Sequence, residues 1–214
     1  MNQTQDFTKG VIWKQLLFFF FPILIGSFFQ QLYNTVDTII VGQTVGTSAL
    51  AAVGSTGNLT NLIINFYVGL STGASVVIAQ YYGAQNNKKI HQAVHTSYSL
   101  AIVSGILMML FGLFFSYQCL DAIGTPHDIL NDATLYMQLY FLCMIPGAIY
   151  NIGAGILRAV GDSKRPLYYL IVCSIVNVVF DFIFVVVFHQ GIAGAAIATV
   201  IAQSVCAILV TIQL

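Results

Sequence analysis

The sequence predicts an all-α fold, a polytopic membrane protein built as a single six-transmembrane-helix bundle over residues 1–214. The composition is extreme, with 58% hydrophobic and only 7% charged residues. Apolar runs long enough to cross a membrane recur along the chain, since roughly 20 residues at 1.5 Å rise span a ~30 Å hydrocarbon core. The few basic residues are also segregated, which polytopic membrane proteins require and soluble ones do not.

The expected spans are 16–41, 50–78, 94–117, 134–157, 166–188 and 191–213. The first follows Lys9 and Lys14, which invites comparison with a secretory signal. Its apolar run outlasts a signal core and shows no small-residue cleavage site, so an uncleaved span is expected. Pro22 inside it predicts a kink, because proline removes one helical hydrogen bond and crowds the preceding turn. A short loop at 43–48 makes the first two spans an antiparallel pair. The next connection, 82–89, is a polar turn carrying Lys88 and Lys89. The fourth span starts after Gly124-Thr125-Pro126 and Asp128, and Pro146-Gly147 predicts a second kink. A short loop at 189–191 pairs the last two spans. The sixth opens Gly191-Ile192-Ala193-Gly194-Ala195-Ala196, small residues that let helix backbones approach closely.

All seven basic residues fall before the first span, between the second and third, or between the fourth and fifth (Arg158, Lys164, Arg165). Asp121, Asp128 and Asp132 cluster on the opposite side. By the positive-inside rule both termini are expected in the cytoplasm, with the protein in the bacterial cytoplasmic membrane and its basic loops against anionic lipid headgroups.

Several functions are set aside by what the chain lacks. No phosphate-binding GxxxxGK[ST] loop, GxSxG elbow or HExxH pair occurs, so neither ATP-driven transport nor hydrolysis is supported; no enzyme activity, cofactor or nucleic-acid partner is expected. Cys119, Cys143, Cys173 and Cys206 form no CxxC pair and read as small apolar residues. His91 and His95, one turn apart, read as an interfacial helix face.

The informative residues are polar ones at membrane depth. Ser27, Gln30, Asn34 and Asp37 recur at helical spacing, as do Asn58, Asn61 and Asn65, then Ser174, Asn177 and Asp181, then Thr199 and Gln203. Lipid offers these groups no hydrogen bonds, so four stripes imply a shared polar interior. Asp181 lies about seven residues from the outer end of its span, ~10 Å deep, and Thr199 about eight residues from the start of the next, ~12 Å deep. Asp37 falls in the outer part of the first span. The acids can therefore meet Asn177 and Thr199 if the first, fifth and sixth spans are neighbours. An intramembrane carboxylate costs several kcal/mol unless neutralised, paired or wetted, and marks function by default. Carboxylate, amide and hydroxyl oxygens suit Na⁺, and two close carboxylates readily share a proton.

Four stretches carry a family resemblance: 31–38 (QLYNTVDT), 155–162 (GILRAVGD), 177–181 (NVVFD) and 191–199 (GIAGAAIAT). Together they resemble the N-terminal lobe of a bacterial MATE (multidrug and toxic compound extrusion) transporter of the DinF-like kind, over essentially the whole chain. The resemblance implies one lobe of an H⁺- or Na⁺-coupled antiporter exporting amphipathic organic cations by alternating access. It assigns cation coupling to Asp37, Asn177, Asp181 and Thr199, possible ligands of Na⁺, and a helix bend to Pro22. Gln30, Tyr33, Asn34 and Asn65 are the candidate substrate-cavity residues. Family members have about twelve spans, so a second lobe or a homodimer partner is expected for transport. A lipid-linked oligosaccharide flippase of related fold is one alternative, though it would want basic cavity residues. A lobe without autonomous transport is another.

Overall fold

The computed structural model describes residues 11–214, so Lys9 and the rest of the extreme N-terminus lie outside the described residues. The chain folds into α1 (Ile12–Thr44), α2 (Thr47–Gly83), α3 (Asn87–Ala122), α4 (His127–Phe141), α5 (Met144–Ala159), α6 (Lys164–Asp181) and α7 (Gly191–Gln213). A π-helical segment, Phe182–Val187, continues α6 to complete a 24-residue span. Among the described residues five elements are long and apolar enough to cross a membrane, and α4 with α5, bent by 50°, is a sixth when the pair is counted as one span. The six expected spans are all present.

Their ends run further than expected. α1, α2 and α3 have 33, 37 and 36 residues, well beyond the ~20 that a bilayer demands. Once nucleated, a helix adds residues at little cost, so it continues into the headgroup layer until a turn signal stops it. Gly46 supplies one such stop. Its φ of 116° is open to glycine and costly for other residues, and it allows the reversal from α1 into α2.

Pro22 is buried within α1, and the helix runs through it without a break. The fourth span does break, four residues before Pro146 rather than at it. Proline has no N–H for the carbonyl of residue i−4, and its ring crowds that carbonyl. For Pro146 that residue is Leu142, where α4 ends. The amides of Leu142 and Cys143 turn back to Leu139 and Tyr140 at 3.1 and 3.0 Å, tightening the last turn before α5 starts.

The half-span α5 is the centre of the bundle and packs against α2, α3 and α7. Its residues Ile152–Leu157 are buried in succession, on every face of the helix. Such close approach needs glycine. A Cβ on Gly153 would stand 2.8 Å from Val210 Cγ2, and one on Gly155 would stand 2.2 Å from Ser71 Oγ. Ser71 Oγ donates to the Asn151 carbonyl at 2.6 Å, tying α2 to α5. In α7 the small residues Gly194, Ala195, Ala196, Ala198 and Ala202 are buried, as their spacing predicts. α1 lies at the side of this assembly with α6 as its principal partner.

Antiparallel alternation gathers Lys14, Lys88, Lys89, Arg158, Lys164 and Arg165 at one end of the bundle, with Asp121, Asp128 and Asp132 toward the other. The turn between α5 and α6 is fastened by Asp162. Its Oδ1 accepts from the amides of Lys164 and Arg165 at 3.2 and 3.1 Å, and its Oδ2 pairs with Arg165 Nε at 3.2 Å. Gly161, with φ of 87°, brings the chain into position for this cap. Replacing a capping side chain by alanine costs about 0.5–2 kcal/mol. Asp162→Ala should lower the unfolding midpoint accordingly, while Asp162→Asn, which still caps, should recover most of it. Equal midpoints for Asp162→Ala and wild type would remove the cap from the account.

Candidate functional site

The three stripes on α1, α6 and α7 meet where α6 packs on both α1 and α7. Asp181 is completely buried, Asn177 is 1% exposed, and Asp37 and Thr199 are 9% and 8% exposed. Asn177 Nδ2 donates to Thr199 Oγ1 at 3.4 Å, and that hydroxyl donates to the Ala195 carbonyl at 3.1 Å. The remaining oxygens have no such partner. Asp37 Oδ1, Asn177 Oδ1 and both carboxylate oxygens of Asp181 are buried without a hydrogen bond. Buried polar groups in folded proteins are nearly always satisfied, and each exception asks for a reason. Asp37 and Asp181 also stand within electrostatic range of each other. Four orphaned oxygens from α1 and α6, beside the Thr199 hydroxyl of α7, form an oxygen-lined site fit for a small hard cation or a proton. Among the described residues no group of three His, Cys, Asp or Glu could hold a metal, so the donor set is not that of a transition-metal centre.

Asp181 is the last α-helical residue before the π-helical segment. Widened turns of this kind are rare and often accompany functional sites. They rotate everything downstream relative to a regular helix, so no spacing rule applied to 182–187 finds them.

Two further side chains, not marked out by the sequence, stand near this cluster. Tyr136 and Tyr140 of α4 stack one turn apart, ring centroids 6.2 Å apart. Tyr136 lies within electrostatic range of both acids, and Tyr140 within range of Asp37 and Tyr33. Their signal was modest: two tyrosines at i, i+4 spacing in an otherwise apolar half-span.

The expectation of one polar interior shared by four stripes is corrected. Asn58, Asn61 and Asn65 all face outward, and so do Ser27 and Asn34. The stripe on α1 is split because its four members spread over roughly 80° of arc at 100° per residue, and the edge of the bundle passes between them. Of the candidate cavity residues, Asn34 and Asn65 are exposed, Gln30 is half-buried, and Tyr33 is buried inside the bundle. Asn34 precedes the end of α1 by ten residues and Asn58 follows the start of α2 by eleven, so they stand at similar depth. The result is an amide-rich band on the outside of an apolar bundle.

The MatE family profile matches residues 22–183, about three-quarters of the chain and including Asp37, Asn177 and Asp181. The chain belongs to the MatE family. Members of this family are transporters. Among curated relatives, this MatE chain is 31% identical to the probable multidrug resistance protein YoeA of Bacillus subtilis, over 92% of the chain and 44% of the relative. It is 26% identical to DNA damage-inducible protein F of Escherichia coli, over 85% of the chain and 40% of the relative. Among solved structures it superposes on a MATE in the bent conformation with a TM-score of 0.87 at 28% identity, covering 92% of this chain and 44% of that one. The MatE chain thus spans a little under half the length of the relatives it matches. It is a multi-pass protein of the bacterial cytoplasmic membrane.

Proposed function

We propose that this chain forms one lobe of a cation-coupled multidrug antiporter that exports amphipathic organic cations, with H⁺ or Na⁺ as the coupling ion. The observation that carries this reading is the set of unpartnered buried oxygens on Asp37, Asn177 and Asp181 beside Thr199. A bound cation would satisfy them and draw α1, α6 and α7 together. Coupling follows if the cation and the drug favour opposite arrangements of the lobe, because a ligand shifts an equilibrium only through its differential affinity for the two states. Pro22 gives α1 a point of reduced backbone bonding at which such a rearrangement can bend it.

The outward amide band supports a second lobe. Amides facing lipid go unsatisfied, so Asn34, Asn58, Asn61 and Asn65 call for a watery cavity or another protein surface. In this reading a second lobe, on another chain or on a second copy of this one, closes a cavity against that band. Asn34 and Asn65 would then meet the drug directly, Gln30 from the rim, and Tyr33 would line the cation site. The basic end of the bundle faces the cytoplasm.

Cation binding can be tested on the purified chain without a second lobe. A ligand held only by the folded state stabilises it by RT ln(1 + [L]/Kd), about 2.7 kcal/mol at a hundredfold excess over Kd. For a chain of this size that is a rise of roughly 5–10 °C in melting temperature. Thermal unfolding is followed while Na⁺ is raised at fixed pH, and while pH is lowered at fixed salt. A midpoint that moves with neither ion would overturn the proposal.

A further inference from the structure

An open groove of about 550 Å³ runs between α2 and α3 from the basic end of the bundle, on helices that the cation site does not use. Its inner half is apolar. Leu70 and Leu100 form walls, while a Cβ on Gly69 or Gly73 would meet nothing within 4 Å, so the two glycines leave the trough open. Its outer half is polar, lined by Tyr81, Lys89 and Gln92. Lys89 Nζ lies 5.3 Å above the Tyr81 ring. A second cleft, about 690 Å³ and lined in part by Lys88 and His91, adjoins the first across Gln92 and Thr96. Neither lysine is paired with an acid among the described residues.

The polarity of the groove follows depth. Counted from the ends of α2 and α3 at 1.5 Å per residue, Tyr81 and Lys89 stand within ~3 Å of the helix ends, and Gly69 and Leu100 ~20 Å inside. Helices of 37 and 36 residues overrun the ~30 Å hydrocarbon layer at both ends. The lysines therefore sit among headgroups and the glycine trough among acyl chains. A molecule that fills the groove needs an anionic head and an apolar tail in that order.

We propose that the α2–α3 groove is a binding site for an anionic phospholipid, its phosphate held by Lys88 and Lys89 and one acyl chain laid along Gly69 and Gly73. Charge complementarity selects the head. A choline lipid brings its own quaternary ammonium beside two unpaired lysines, whereas phosphatidylglycerol brings net negative charge. The site is separate from the cation-coupling residues and does not depend on them.

Native mass spectrometry of the detergent-purified chain, titrated with phosphatidylglycerol or phosphatidylcholine, tests the assignment. The expected result is a retained phosphatidylglycerol adduct favoured roughly tenfold or more over phosphatidylcholine, from two lysines near the head. Lys88→Gln/Lys89→Gln should abolish that preference, and Lys164→Gln, at the same end of the bundle, should leave it intact. Gly73→Leu fills the trough without changing charge and should remove the adduct, with Gly69→Leu as the second variant should Gly73→Leu fail to fold. Equal retention of the two lipids, or a preference that survives the lysine substitutions or both trough substitutions, would overturn the proposal. So would a dimer that both trough substitutions disrupt, which would give the groove to a second copy of the chain.

Discussion

Asp181→Asn is expected to abolish the cation dependence of the melting temperature while leaving the apo protein as stable as wild type or more so. The two effects have opposite signs because one carboxylate serves one and opposes the other. Asp181 is completely buried and neither of its oxygens accepts a hydrogen bond. Holding an unpaired charge there costs stability, and the isosteric amide removes that cost. The same change takes away the anionic oxygen that a cation would bind, so the ion-induced rise of roughly 5–10 °C should vanish. Asp37→Asn should weaken it to a lesser degree, since only one of its oxygens is orphaned. If the proposed antiport holds, proteoliposomes in which a second lobe completes the transporter should show gradient-driven release of a fluorescent organic cation, and Asp181→Asn should reduce it to the level of protein-free vesicles. An Asp181→Asn protein that keeps its full cation response would remove Asp181 from the site.

Gly112→Ala is expected to be the most damaging single methyl group in the bundle. The added Cβ would lie 1.8 Å from Cγ of Phe141, well inside van der Waals contact. Phe141 is the last residue of α4, buried against α3 just before the break, so its ring has little room to retreat. Overpacking of a well-filled core costs about 1–3 kcal/mol and sometimes more, and here the upper end is expected. Phe141→Ala alone should cost about 3–5 kcal/mol through the cavity it leaves. The double variant should cost less than the sum of the two, because the new methyl group enters space that the ring has vacated. Thermal unfolding of the four proteins measures the coupling. Simple additivity would mean that α3 and α4 do not meet at this point.

Much of this architecture is legible in the sequence because the bilayer reads it so simply. Six apolar runs give six crossings, and depth counting alone places Asp37, Asp181 and Thr199 at comparable levels. Asn177 followed because it lies one turn from Asp181 on the same face. The break at Leu142 was accessible too, through the carbonyl that Pro146 leaves without a donor, although the proline itself drew attention to the wrong turn. What escaped was direction. Periodicity shows that Asn34 and Asp37 share a side of α1, but only the position of α6 decides that one is buried and the other exposed. That Tyr136 stands near both acids depends on how α4 packs in the bundle, and the widened turn after Asp181 has no local sequence mark.

The peripheral seat of α1 also bears on the protein's birth. α6 begins at Lys164, 120 residues after α1 ends at Thr44, and it is the main helix against which α1 rests. At ~5–20 residues per second, synthesis leaves several seconds between the two. During that interval the first span has entered the membrane while its docking surface does not yet exist. Until the ribosome delivers α6, Asp37 lies at membrane depth without the helix that later buries it.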